Sequence, residues 1–237
     1  MLPSKFSAGL VVGLALAACS TPAWTGKIDR WGGMREVMRE GRTGGRVSLS
    51  AVARSSRTVA IGALEGLLGE VAIVDGAVWI ARADARGVWF ERGLLEETRA
   101  ALLVATDVPR WRRIPIERDV ERLDDFLAEI AGREALSRFR AWPFVIEGEL
   151  HDLRAHVLCG ACPKAGAIDP VLEPQRRSTD RDQGLLVGFH AADSAGELTH
   201  HGERSHVHVV IEREPFVGHV DSVAVVSGAV LRGPWLR

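Results

Sequence analysis

Apolar residues along this chain fall mostly into short runs separated by glycines, prolines and clusters of charge. Such runs predict strands more than helices. Residues 46–51 alternate like a strand, and residues 88–90, 101–105, 142–147, 152–158 and 185–189 read as further strands. Val71, Ala72, Ile73 and Val74 lead into Asp75-Gly76, and Ala77, Val78, Trp79 and Ile80 follow. Asp-Gly between two β-rich runs predicts a type I′ hairpin, because both central positions need positive φ. Helical periodicity is confined to two places. A short amphipathic helix is expected over residues 34–40, stopped by Gly41 and the Gly44-Gly45 pair. The stretch 117–140 puts Val120, Leu123, Leu127 and Ile130 on one face, with Gly132 expected to split it and its charges read as a solvated face. Residues 163–183 carry several prolines and a charge cluster from Arg176 to Asp182, and read as a loop. The expected fold class is α+β: a mixed or antiparallel β-sheet-rich domain with one or two main helices.

The last two strands carry the chemistry. Ser205-His206-Val207-His208-Val209-Val210-Ile211 is followed by a turn at Glu212-Arg213-Glu214-Pro215 and by Phe216-Val217-Gly218-His219-Val220. Alternate residues of a strand face the same side, so His206 and His208 project together. If residue 211 pairs with 216, residue 208 faces 219, and His219 joins them. Three imidazoles on one face with an open fourth position make a zinc-type catalytic site, whereas structural zinc sites are closed by four protein ligands.

Composition adds location. Lys5 precedes an apolar stretch from Phe6 to Ala18, too short for the roughly 20 residues a spanning helix needs. Residues 1–18 therefore read as a signal peptide. Leu16-Ala17-Ala18-Cys19 resembles the bacterial lipoprotein box, in which the Cys is lipidated, so an exported protein anchored to a membrane through Cys19 is expected. Residues 19–32 read as a tether, and residues 33–237 as one domain of the size a single core supports. Net charge is −1 and no basic run appears, so no nucleic-acid partner is expected. Cys159 and Cys162, spaced C-x-x-C, read as a structural disulfide or as two idle thiols. Pro163 after Cys162 excludes haem attachment, and a second C-x-x-C for zinc is missing.

Several segments together resemble the α-acetolactate decarboxylase family. These are the glycine-rich run from Ala60 to Gly69-Glu70-Val71, the strand Phe144-Val145-Ile146-Glu147-Gly148, and Gly184-Leu185-Leu186-Val187-Gly188-Phe189. They are followed by H-x-H and by Gly218-His219-Val220, in the family's order from about residue 33 to 228. The resemblance implies a divalent metal, expected to be zinc, on His206, His208 and His219, with Glu70 as an acid-base group in the site. It also implies a small-molecule substrate, 2-acetolactate or a related branched 2-hydroxy-3-keto acid, decarboxylated to acetoin, and it leaves a homodimer open. Metal chemistry suits that reaction, since a Lewis acid polarises the ketone. The family's catalytic arginine follows the F-x-I-x-G strand; here His156 matches its position and Arg154 lies two residues earlier, so Arg154 is the candidate for the substrate carboxylate. The family's C-terminal glutamate has no counterpart, because no acid follows Asp221. Two other readings fit parts of the pattern. His206, His208 and Glu212 match the first motif of a cupin-like metalloenzyme, and a lipoprotein could keep fold and metal without catalysis.

Overall fold

The computed structural model describes residues 22–93, 97–161, 173–200 and 202–237. Two sheets form its body, and every strand pairing among the described residues is antiparallel. The first runs in the order β1 (Asp29–Trp31), β7 (Arg99–Asp107), β3 (Thr58–Leu64), β4 (Gly69–Val74), β5 (Ala77–Asp84) and β6 (Gly87–Arg92), with β2 (Val47–Ser48) also on β7. The second runs β10 (Gln175–His190), β11 (Ser205–Ile211), β12 (Phe216–Val225), β9 (Trp142–Val157), β13 (Val230–Pro234) and β8 (Trp111–Pro115). Strands β9 and β10 also pair directly, so β9, β10, β11 and β12 close a circuit of hydrogen-bonded neighbours.

The main core lies between the sheets. Val59, Ile61, Ala72, Val74 and Ala81 of the first sheet join Phe144, Ile146, Val187, Phe189 and Val209 of the second. Strand parity sets this division, since Ala60, Val71, Ile73 and Ile80 point the other way into a separate cluster with Leu49. After the short helices α1 (Met34–Met38) and α2 (Leu49–Val52), helix α3 (Leu123–Arg133) adds Phe126, Leu127, Ile130 and Ala131 to the main core.

The Asp75-Gly76 hairpin forms as its sequence requires: Val74 pairs with Ala77, and the turn residues have φ of 50° and 78°. The β11–β12 hairpin also takes the expected register, Ile211 opposite Phe216 and His208 opposite His219. Four expectations need correction. The strand at 46–51 stops after Ser48 and continues as helix α2 (Leu49–Val52). The helix expected over 117–140 begins only at Leu123, because Val120 exchanges backbone hydrogen bonds with Val225. The two strands expected over 142–147 and 152–158 are one, β9, which ends at Val157. Gln175–Gln183, read as loop, is the first half of β10, its backbone groups satisfied by β9. Upstream of residue 33 the chain is already packed: Trp24 is buried and donates Nε1–H to Thr106 Oγ1 at 3.0 Å, and β1 pairs with β7. Residues 1–21, with the expected signal and Cys19, lie outside the described residues, as does Cys162. Cys159 is buried and disulfide-bonded. Among the described residues no helix is long and apolar enough to cross a membrane.

Candidate metal centre

The turn at 212–215 returns the chain so that His206 and His208 of β11 meet His219 of β12. One ligand atom from each lies within 4.8 Å of the others. Ring centroids are 5.1 Å apart for His206 and His208, 5.2 Å for His206 and His219, and 5.7 Å for His208 and His219. All three are buried. Burial holds each imidazole well below its ordinary pKa, and the neighbouring histidines push the same way. The rings are therefore neutral near pH 7, the state in which they coordinate metals. No hydrogen bond of good geometry reaches either ring nitrogen of His208 or Nδ1 of His206, although backbone groups of Val71 and Leu198 approach His208 and His206. Buried polar atoms are almost always satisfied. Orphaned imidazole nitrogens gathered this closely fit a metal ion.

Glu70 enters from the other sheet. It shares strand parity with Ala72 and Val74, so it faces the core between the sheets. Its Oε2 lies 3.6 Å from His208 Nε2, and its Oε1 accepts a long hydrogen bond from Leu158 N at 3.4 Å. Burial pushes its carboxyl well above the ordinary value, and the Leu158 contact opposes this. Two glycines bring these parts together. A Cβ on Gly69, whose φ is +142°, would meet Ala81 O at 1.9 Å, and one on Gly160 would meet Gly66 O at the same distance. The first lets β4 approach β5 just before Glu70. The second packs the segment after β9, with Leu158, against the turn before β4.

Arg154 is exposed on β9 and carries no ion pair among the described residues. It occupies the same face as His156 two residues on. His156 was marked in the sequence only as the residue standing where an arginine was expected. It lies directly opposite His219, with ring centroids 5.0 Å apart. A β-bulge between Val220 and Ser222 inserts Asp221 into β12. The Asp221 carboxylate accepts from His156 Nδ1 at 2.7 Å and from Arg176 Nη1 at 3.0 Å. Partial burial raises its pKa, but His156 and then Arg176 outweigh this and hold it low. His200, before β11, packs its ring 5.0 Å from His219 and 6.4 Å from His206. Sequence pattern missed Asp221, Arg176 and His200, since a bulge and a polar strand leave no periodic signal. The cupin-like ligand set does not assemble: Glu212 is exposed in the turn and pairs with Arg92 at 3.7 Å.

Two antiparallel sheets that meet over three buried histidines and one buried glutamate define a β-rich fold with a candidate metal centre. The model of the alpha-acetolactate decarboxylase family matches residues 34–232, and the chain belongs to that family. The structure is similar to that of alpha-acetolactate decarboxylase from Bacillus subtilis strain 168, at 20% identity and a TM-score of 0.65, over 88% of this chain and 86% of that one. Acetolactate decarboxylase from Bacillus subtilis subspecies spizizenii superposes with a TM-score of 0.69 at 18% identity, again over 88% and 86%. A Staphylococcus aureus protein of unknown function, described as similar to the decarboxylase, gives 0.62 at 18% over 88% and 84%. No curated protein matches the chain significantly.

Proposed function

We propose that this protein decarboxylates 2-acetolactate, or a related branched 2-hydroxy-3-keto acid, to acetoin and CO2, using one zinc ion held by His206, His208 and His219. The observation that carries the reading is Glu70: a fully enclosed carboxyl, pushed toward its protonated form, 3.6 Å from one of three buried neutral imidazoles. When bound, the ion supplies a Lewis acid for the ketone oxygen and a counter-charge for the electrons left behind as CO2 departs. The bond between the carboxylate carbon and C2 breaks, and its electron pair passes toward the ketone. Glu70 then delivers a proton to C2, which completes acetoin. A carboxyl with a raised pKa suits that delivery, because it keeps its proton to higher pH than an exposed one. Arg154 is the cation for the substrate carboxylate, which a guanidinium can grip through two parallel N–H groups.

The reading extends to location: the chain is exported and tethered by lipid on Cys19. Changing Cys19 to Ala should release the protein from membranes, and continued membrane fractionation would exclude this anchor. For the activity, purified protein should contain about one zinc per chain and release acetoin from racemic 2-acetolactate well above the uncatalysed rate. His208→Ala should lose both. Metal-loaded wild type without acetoin release would leave a metal-binding relative that acts elsewhere or not at all.

A further inference from the structure

Four adjacent strands place one residue each in a single row across the second sheet: Arg176 on β10, His156 on β9, His219 on β12 and His208 on β11. Directly opposed residues of antiparallel strands share a face. The row therefore runs from the metal centre outward to a guanidinium, with His156 between them. The bulge places Asp221 beside this row, and its two oxygens serve His156 and Arg176 separately. A carboxylate facing a guanidinium is an acceptor only, so the hydrogen between Asp221 and His156 belongs to Nδ1. When the ring is neutral, Nδ1 therefore donates to Asp221 and Nε2 keeps its lone pair. The His156 side chain is 15% exposed, sheltered but not sealed from solvent.

We propose that His156, held in this tautomer by Asp221, reads the hydroxyl group of a 2-hydroxy carboxylate, with Nε2 accepting the hydroxyl's hydrogen bond. The inference deepens the reading of the site as one for 2-hydroxy-3-keto acids. An arginine at this position could only donate, and would favour a carboxylate or carbonyl. An imidazole acceptor favours an O–H instead. The carboxylate is then left to the cations on the exposed side of the row, Arg154 and Arg176. In this arrangement Asp221 is a positioning residue: it touches no ligand and acts by holding the ring and its proton.

The test compares two non-reacting acids of the same shape, 2-hydroxy-2-methylpropanoate and 2,2-dimethylpropanoate, by calorimetry on the zinc-loaded protein. Wild type should prefer the hydroxy acid, and His156→Phe should lower that preference about tenfold, the size of one hydrogen bond of roughly 1.4 kcal/mol. Zinc content should stay at the wild-type value. Any preference left in the variant is the metal's own. Asp221→Asn should lower the preference by less, because an amide can meet either tautomer. In 15N-histidine spectra of wild type, His156 should carry its proton on Nδ1, and the Asn variant should show both tautomers. A preference unchanged in His156→Phe overturns the inference, as does its absence from wild type or a wild-type ring protonated on Nε2. If His156→Phe fails to fold, the Asp221→Asn binding ratio and the spectra decide alone. Wild type that binds the hydroxy acid through His156 yet releases no acetoin would sink the decarboxylase reading and leave this one standing.

Discussion

The two halves of the long β9–β10 ribbon are covered differently, although the same two strands run through both. In the first half, Trp142, Phe144, Val145 and Ile146 of β9 lie beside Leu186, Val187 and Phe189 of β10, all buried. In the second half, β9 still buries Leu150, Leu153, Ala155 and Val157, but from Gln175 to Gln183 β10 contributes no fully buried residue. The buried half holds β11 of the histidine hairpin, where His206 lies opposite Phe189 and His208 opposite Val187, whereas β12 pairs with the second half, His219 opposite His156. The exposed half supplies polar groups beside that hairpin: His156, Arg154 and Arg176. Packing thus fixes His206 and His208, while the exposed half sets His156, Arg154 and Arg176 beside His219.

This comparison can be broken most directly by stability. Phe144→Ala should cost about 3–5 kcal/mol in urea unfolding, since it leaves a cavity between the sheets. A cost near that of an exposed substitution would mean that the first half is not the anchor. Next in size, Arg154→Ala should raise KM for acetolactate roughly ten- to a hundredfold with zinc content unchanged, the scale of a lost charge-assisted hydrogen bond. An unaltered KM would discard Arg154 as the carboxylate partner and point to Arg176.

Acid sharpens the account of the buried centre. His206, His208 and His219 are held neutral in the fold, so below about pH 6.5 the unfolded chain binds more protons than the folded one. Metal-free protein should therefore lose stability as pH falls from about 6.5 toward the depressed folded values, by about 1.4 kcal/mol per pH unit for each proton of difference. Glu70 opposes this. Its raised carboxyl keeps a proton that the unfolded chain releases, and that contribution fades as pH rises from 4.5 through the folded pKa. Three histidines outweigh one carboxyl, and Glu70→Gln should steepen the loss. A flat profile from pH 7 to 5 in apo protein would contradict the buried, neutral assignment. The smallest effect belongs to the exposed half: Ser178→Ala should change stability by no more than about 0.5 kcal/mol.

What could be read from the chain followed the same division. The β11–β12 register was legible because a run buried on both faces, a short polar turn and a second apolar run leave few alternative pairings. The Asp75-Gly76 hairpin was legible because its turn needs particular residues. Strand Gln175–Gln183 was not, since its side chains face water and its pairing is through backbone alone. Reading β9 as two strands hid the register that sets His156 opposite His219. Asp221 was invisible as a site residue because a bulge breaks strand parity, which is how its carboxylate comes to reach His156. The Gly-Glu resemblance singles out Glu70, and the fold brings it 3.6 Å from His208, the preceding glycine allowing a close approach that no side chain would permit.

If Glu70 supplies the proton beside a three-histidine zinc site, removing its acid should slow turnover without removing the ion. Acetoin release from racemic 2-acetolactate is measured for zinc-loaded wild type and Glu70→Gln, with zinc content determined in the same samples. The account predicts equal zinc in both and a rate lower in the variant by about a hundredfold or more, the scale of a lost general acid. A variant with full zinc that turns over as fast as wild type would contradict it.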